Sequence, residues 1–386
     1  MRILLLHNRY LHPGGEDAVF HAEKALLERE GHRVFSFVEH NARIQGRYPV
    51  KAALDAIWSQ QTQKRLRALI QKARPNICHF HNTFLRISPA AYYICQESGV
   101  PVVQTLHNYR LICPGALLMR DGQVCEDCLG KIIPWPSVAH GCWRGRSQTA
   151  VVTTMIVVHR FLKTWTHRVD RYIALTEFAR QKFIQGGLPA EKIVVKPNFV
   201  YPDPKKGSHQ GNYALFVGRL STEKGVHTLL AAWRKLRMIP LWLVGGGMLE
   251  SDLQERIEQE QLRVSIMGRQ PRDRVFDLMQ NARFLVFPSE SYEGFPLTLV
   301  ESFATGLPVI ASRLGAMAEV VEHGRTGLLF EPGNAEDLAA QVAWAWTHPQ
   351  EMDEMGREAR REYEHKYTAE RNYMQLMDIY RQVLSQ

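Results

Sequence analysis

At 386 residues with 45% hydrophobic content, the chain is too long for one ordinary domain and comfortable for two, each able to bury a core. Its formal charge of +9 is lopsided: residues 1–197 hold 27 Lys and Arg against 14 Asp and Glu (27 − 14 = +13), leaving 21 against 25 (−4) for the remainder. The basic half suits an anionic membrane surface or an anionic acceptor, or is a basic surface without a specific partner; no basic-aromatic motif or zinc-finger spacing speaks for nucleic acid.

In chain order, "RILLLHN" reads as a strand, "RYLHPGGED" as a glycine turn and "DAVFHAEKALLEREGH" as a helix stopping near Gly31, with "RVFSFVE" as the next strand. That order opens a βαβ unit and predicts a parallel sheet. "NICHFHN", "PVVQTLHN" and "RYIALTE" continue it. The apolar run Thr149–Val158 is too short to span a bilayer and reads as a buried helix. No secretory leader is read in "MRILLLHNRY", so the expected location is cytoplasmic, with peripheral contact to the inner membrane face kept open.

Composition turns to Pro, Gly, Lys and Asn around "VVKPNFVYPDPKKGSHQGN", which reads as a linker. A second strand–helix series follows through "YALFVGRL", "LWLVGGG", "VSIMG", "FLVFPS", "PVIAS" and "GLLFEP", then a closing amphipathic helix over about 367–384. The expected domains are 1–200 with a cysteine-containing insert at about 108–147, 201–365, and a last helix at 366–386. Two doubly wound halves predict a ligand cleft at the carboxyl ends of their sheets.

The second half carries the chemistry. "GRLSTEKGV" places Arg219 and Lys224 between a strand and a helix start, where basic side chains and free amides can neutralise a diphosphate. The glycines of "LVGGG" either admit a ligand or simply make a turn. In "EGFPLTLVE", Glu293 falls on a loop and Glu301 about five residues into the helix that Pro296 opens. An acid–base pair flanking one bond, as in a glycosidase, would leave nothing for a diphosphate. Grips on two sets of hydroxyls with phosphate between them fit better.

These stretches, "GRLSTEKG", "PSESYEGFPLTLVESFATGLPVIAS" and "GRTGLLFEPGNAEDLA", resemble the family 4 glycosyltransferases of GT-B fold across nearly the whole second half. The resemblance implies an α/β fold of two Rossmann-like domains facing a central cleft. It also implies transfer of a sugar from a nucleoside-diphosphate donor, with retained anomeric configuration and no catalytic metal. Carried onto this sequence, Arg219 and Lys224 bind the diphosphate, Glu293 the sugar hydroxyls and Glu301 the ribose. Gly294, Phe295, Pro296, Leu297 and Thr298 line the sugar and phosphate. Pro296 departs from the glycine common there and removes one amide. In the first half the match is looser: Gly14 and Gly15 approach donor phosphate and acceptor, Glu16 touches the acceptor, and His107 meets the donor sugar near the reacting carbon. His107 read alone is equally a strand-end histidine bonded to a loop carbonyl; His79 and His81 are secondary candidates. The family's last helix packs back on the first domain.

No D-x-D occurs, in keeping with basic groups stabilising the leaving diphosphate. The expected activity is transfer from a UDP- or GDP-sugar to a saccharide or lipid-linked acceptor in bacterial surface polysaccharide or glycolipid synthesis. A nucleotide-sugar-binding protein without transfer and a sugar-nucleotide epimerase are the alternatives. Separately, Cys113, Cys125, Cys128 and Cys142 form C-x11-C-x2-C-x13-C, which suits either a structural zinc or four reduced thiols.

Overall fold

The computed structural model describes residues 1–11, 14–44 and 49–385. The chain divides into two compact units: Met1–Leu118 with Glu126–Asn198 and Asn372–Gln386, and Met119–Cys125 with Phe199–Arg371.

The first unit is built on a six-stranded parallel sheet in the order β2-β1-β3-β4-β7-β8. Its strands are β1 (Arg2–Arg9), β2 (Arg33–His40), β3 (Ile77–Asn82), β4 (Val102–Thr105), β7 (Arg171–Ala174) and β8 (Ile193–Val195). A short antiparallel hairpin, β5 (Met119–Arg120) with β6 (Gln123–Val124), separates β4 from β7 in sequence. Continuous apolar runs such as Ile3–Leu6 are fully buried, as expected for parallel strands covered on both faces. The helix Ala369–Leu384 packs Leu376, Met377, Tyr380 and Val383 against Ile3, Leu5, Ile77 and Val103 of this sheet. The run Thr149–Val158 lies in the helix Arg146–Phe161, with Val152, Met155 and Ile156 buried.

The second unit repeats the plan with β11 (Val264–Gly268), β10 (Leu241–Val244), β9 (Ala214–Val217), β12 (Phe284–Phe287), β13 (Val309–Ser312) and β14 (Gly327–Phe330), adjacent in that order and all parallel. Alternate side chains feed two cores. Ala214, Phe216, Leu241 and Leu243 enter one, and Leu215 and Val244 the other. In both sheets the order reverses beside the first strand, β1 or β9, so in each unit the loops after neighbouring strands open at the carboxyl edge. Among the described residues, no helix is long and apolar enough to cross a membrane.

Candidate active site

In the second unit the loops after β9 and β12 bring the two halves of the charged motif together. Lys224 ends a short 3-10 turn (Thr222–Lys224), and Gly225 leads into the helix Val226–Trp233. Gly225 sits at φ +67, and a Cβ there would lie 1.8 Å from the Pro288 carbonyl oxygen, so only glycine lets these loops cross. The crossing seats Lys224 Nζ 2.6 Å from Glu293 Oε1, which also accepts from Ser289 Oγ at 2.6 Å. Sequence reasoning assigned Lys224 and Glu293 to different parts of a ligand; here they are direct partners. Neighbouring Glu290 is held the same way, accepting from Thr228 Oγ1 at 2.5 Å. Arg219 is exposed and pairs with Glu223 at 2.9 Å.

Pro296 immediately precedes the helix Leu297–Thr305, placing Glu301 on its fifth residue. The helix start is less open to an anion than the motif suggests: the Leu297 amide donates to Phe295 O and the Leu299 amide to Pro296 O, each at 2.9 Å. Gly294, Phe295, Leu297 and Thr298 are partly exposed around it, while Pro296 is buried. Burial raises the Glu301 carboxyl above its ordinary range against the opposing pull of Arg272, whose guanidinium lies 3.3 Å away. Arg272 escaped sequence reading because it stands 29 residues earlier, at the start of the helix Arg272–Asn281. The glycines of "LVGGG" have a structural reason: Gly245, at φ +140, would put a Cβ 1.9 Å from Gly218 O.

In the first unit, three strand ends share a signal that sequence reading passed over. β1 carries His7-Asn8 just before its last residue, β3 closes on His81-Asn82, and β4 is followed by His107-Asn108. Because β1, β3 and β4 are neighbours, the three pairs gather at one edge. The His81 and His107 rings stack with centroids 5.2 Å apart, and His81 Nδ1 lies 3.0 Å from His107 Nε2. His81 is buried and His107 partly exposed. Desolvation pushes His81 down to about 4 despite the Glu23 carboxylate beside it, and pushes His107 well below the ordinary histidine range, so both are neutral at pH 7.

The asparagines of two pairs hold Glu16. Asn82 Nδ2 donates to its Oε1 at 3.0 Å and Asn108 Nδ2 to its Oε2 at 3.3 Å. Burial, reinforced by the Asp17 charge, raises the Glu16 carboxyl to about 8. Gly14 caps the helix Gly15–Arg29, and its amide donates to Asp17 Oδ2 at 3.0 Å. A Cβ at Gly14 would meet nothing within 4 Å, and both Gly14 and Gly15 are exposed. His12 and Pro13 of the same turn lie outside the described residues.

The cysteines of the insert lie partly together. Among them Cys113 and Cys128 are buried, Cys125 and Cys142 are partly exposed, and Cys113 and Cys142 stand close enough to Cys128 to act on its thiol. Cys128 directs its Sγ toward Pro134 O at 3.8 Å, and burial pushes its thiol up to about 11.

Two parallel, doubly wound six-stranded sheets, with charged loops at the carboxyl ends of their strands, define a GT-B architecture. The structure of Anabaena HepE in complex with UDP and glucose superposes with a TM-score of 0.68 at 19% identity, covering 98% of this chain and 99% of that one. The model for glycosyl transferases group 1 matches residues 202–362, and that for glycosyltransferase family 4 matches residues 13–203. An uncharacterised glycosyltransferase of Methanocaldococcus jannaschii is 27% identical over 75% of this chain and 78% of its own length. The D-rhamnosyltransferase WbpZ of Pseudomonas aeruginosa is 28% identical over 63% of this chain and 70% of its own. The chain belongs to the family 4 glycosyltransferases and is an enzyme of sugar transfer.

Proposed function

We propose that the protein is a retaining glycosyltransferase that moves a sugar from a nucleoside-diphosphate donor to a saccharide or lipid-linked acceptor in surface polysaccharide or glycolipid synthesis. The observation that carries this is the Lys224–Glu293 pair at 2.6 Å. A cation and a carboxylate held together at the carboxyl edge of one sheet can separate onto a phosphate and a sugar hydroxyl of one ligand. The name of the D-rhamnosyltransferase relative and the UDP and glucose of the HepE complex support the donor class.

In this reading negative charge builds on the leaving diphosphate as the glycosidic bond breaks, and Lys224 with Arg219 stabilises it. Glu293 accepts from sugar hydroxyls and Glu301, steadied by Arg272, from the ribose. Gly294, Phe295, Pro296, Leu297 and Thr298, at the start of the helix Leu297–Thr305, line the sugar and phosphate. His107 meets the donor sugar. Gly14 and Gly15 leave room for phosphate and acceptor, and Glu16, oriented by Asn82 and Asn108, binds an acceptor hydroxyl. The proposed division of labour gives residues 1–200 the acceptor, 201–365 the donor, and 366–386 the closing helix.

An anionic membrane surface is the proposed meeting place with a lipid-linked acceptor. Between Asp127 and Asp170 the chain holds no carboxylate side chain but six Lys and Arg. The same span exposes Ile132, Ile133, Trp135, Phe161 and Leu162. Arg160 donates to the carbonyls of Lys131 and Ile132, bringing the two apolar groups together. Sedimentation with anionic but not neutral vesicles is expected; equal sedimentation with both would remove the electrostatic part.

The central experiment incubates the protein with UDP- and GDP-sugars and candidate acceptors. Acceptor-dependent release of nucleoside diphosphate, with the product keeping the donor's anomeric configuration, is expected. Binding of donor without release would favour a sensor instead.

A further inference from the structure

Behind His107 lies a buried polar cluster that the donor site does not account for. Glu23, on the helix Gly15–Arg29, is 1% exposed and meets three partners. His79 Nδ1 lies 3.2 Å and His81 Nε2 3.1 Å from its Oε1, and Lys196 Nζ 3.4 Å from its Oε2. Glu23, His79 and His81 are spaced as ligands to one ion would be. The buried Lys196 ammonium already supplies the positive charge there, and a dication would have to displace it or sit against it. A metal reading is therefore set aside for an electrostatic one.

We propose that Glu23 is a positioning residue that sets, through His81, the tautomer in which His107 faces the donor sugar. Lys196, His79 and His81 hold the Glu23 carboxylate ionised although burial works the other way. A neutral imidazole beside an anion turns its N–H, not its lone pair, toward the charge. His81 therefore carries its proton on Nε2; the N–H and carboxylate are close without being aligned, so the link is electrostatic. That leaves a lone pair on His81 Nδ1, 3.0 Å from His107 Nε2. His107 must then place its own proton on Nε2 and keep a lone pair on Nδ1. In that state His107 accepts a hydrogen bond from a sugar hydroxyl and cannot donate one from Nδ1.

The rest of the cluster agrees. With its proton on Nδ1, which faces Glu23 and Tyr380 Oη at 2.7 Å, His79 leaves Nε2 to accept from Thr105 Oγ1 at 2.8 Å. Tyr380 belongs to the helix Ala369–Leu384, so the end of the chain closes the cluster. From β1, His7 meets the His81 ring edge-on with centroids 6.3 Å apart, and is itself held by Asp17 at 3.0 Å, with Arg9 beyond. The charged or titratable groups facing the His81–His107 pair are thus His7, Glu23, His79 and, through Glu23, Lys196 and Tyr380.

The orientation is inferred from unit-internal contacts; its use in catalysis rests on the proposed reading that His107 meets the donor sugar. Ring-15N-histidine labelling of the full chain, with His107 assigned by its loss in His107→Gln, reads the tautomer directly. The wild type should show His107 protonated on Nε2 and neutral from pH 5.5 to 8. In the Glu23→Gln, Lys196→Met double variant, which removes both buried charges together and so avoids stranding one, His107 should shift to a tautomer mixture. Its kcat should fall roughly tenfold or more with the donor KM little changed. A His107 protonated on Nδ1 in the wild type overturns the proposal without any variant; so does an unchanged tautomer in a folded double variant. The expected tautomers in a protein without acceptor-dependent turnover would leave the relay standing and remove the transferase reading instead.

Discussion

The carboxyl edges of the two sheets carry polar groups of opposite character. In the first unit they are buried and fixed: Glu23, His79 and Lys196 are each about 1% exposed or less, and the network reaches the surface at His107. In the second unit they are ion pairs near solvent: the Lys224 and Glu293 side chains are 17% and 15% exposed, and Arg219 pairs with Glu223 from a still more open position. A buried charge is tolerable only while its partners stay in place. A partly solvated pair can trade partners, because water and an incoming phosphate or hydroxyl replace what is lost. The first edge is built to hold a geometry, the second to exchange contacts with a ligand.

That contrast can be broken by mutation. The largest effect is expected for Glu23→Ala, which strands Lys196 in the core; a loss of about 3–5 kcal/mol of stability is expected, seen as a lower denaturation midpoint. A loss below about 1 kcal/mol would show that the first edge is as adaptable as the second. Next comes Lys224→Ala. Turnover should fall by about 100-fold with the melting temperature nearly unchanged, measured by nucleoside diphosphate release and thermal melting. A stability loss with turnover preserved would reverse the contrast.

A smaller effect is expected from pH. Burial depresses His81 to about 4 and His107 well below the ordinary histidine range, and Glu23 is held well below its own. A group whose folded pKa is depressed contributes stability that is complete above its unfolded pKa and lost as pH falls. The raised carboxyls of Glu16, at about 8, and Glu301 run the other way, gaining stability as pH falls, so the histidine loss is read in a Glu16→Gln, Glu301→Gln background: it should begin near pH 6.5 and amount to about 2 kcal/mol or more by pH 5, a drop of several degrees in Tm. A Tm flat between pH 7.5 and 5 in that background would show that these histidines are not buried neutral. The smallest effect is expected for Arg272→Ala, whose partner Glu301 remains partly solvated: stability should change by less than about 1 kcal/mol, measured by denaturant titration.

Legibility in the sequence followed the range of the interactions. The parallel sheets could be read because each strand is a continuous apolar run separated from the next by helical spacing, a local pattern. Arg219, Lys224, Glu293 and Glu301 could be read because their motifs are contiguous. Arg272 could not, because its link to Glu301 depends on how the helices Arg272–Asn281 and Leu297–Thr305 pack. Glu23, read only as part of a helix pattern, proved to be the centre of a buried network.

By itself the sequence determined the two-sheet architecture and the family, since periodicity and contiguous motifs are properties of neighbouring residues. Only the tertiary structure decided that Lys224 and Glu293 are partners, that three His-Asn pairs meet at one edge, and that Glu23 stands behind His81 and His107. Each of those contacts joins segments separated in the chain, and no local pattern encodes which buried charges will face each other once the strands are laid side by side.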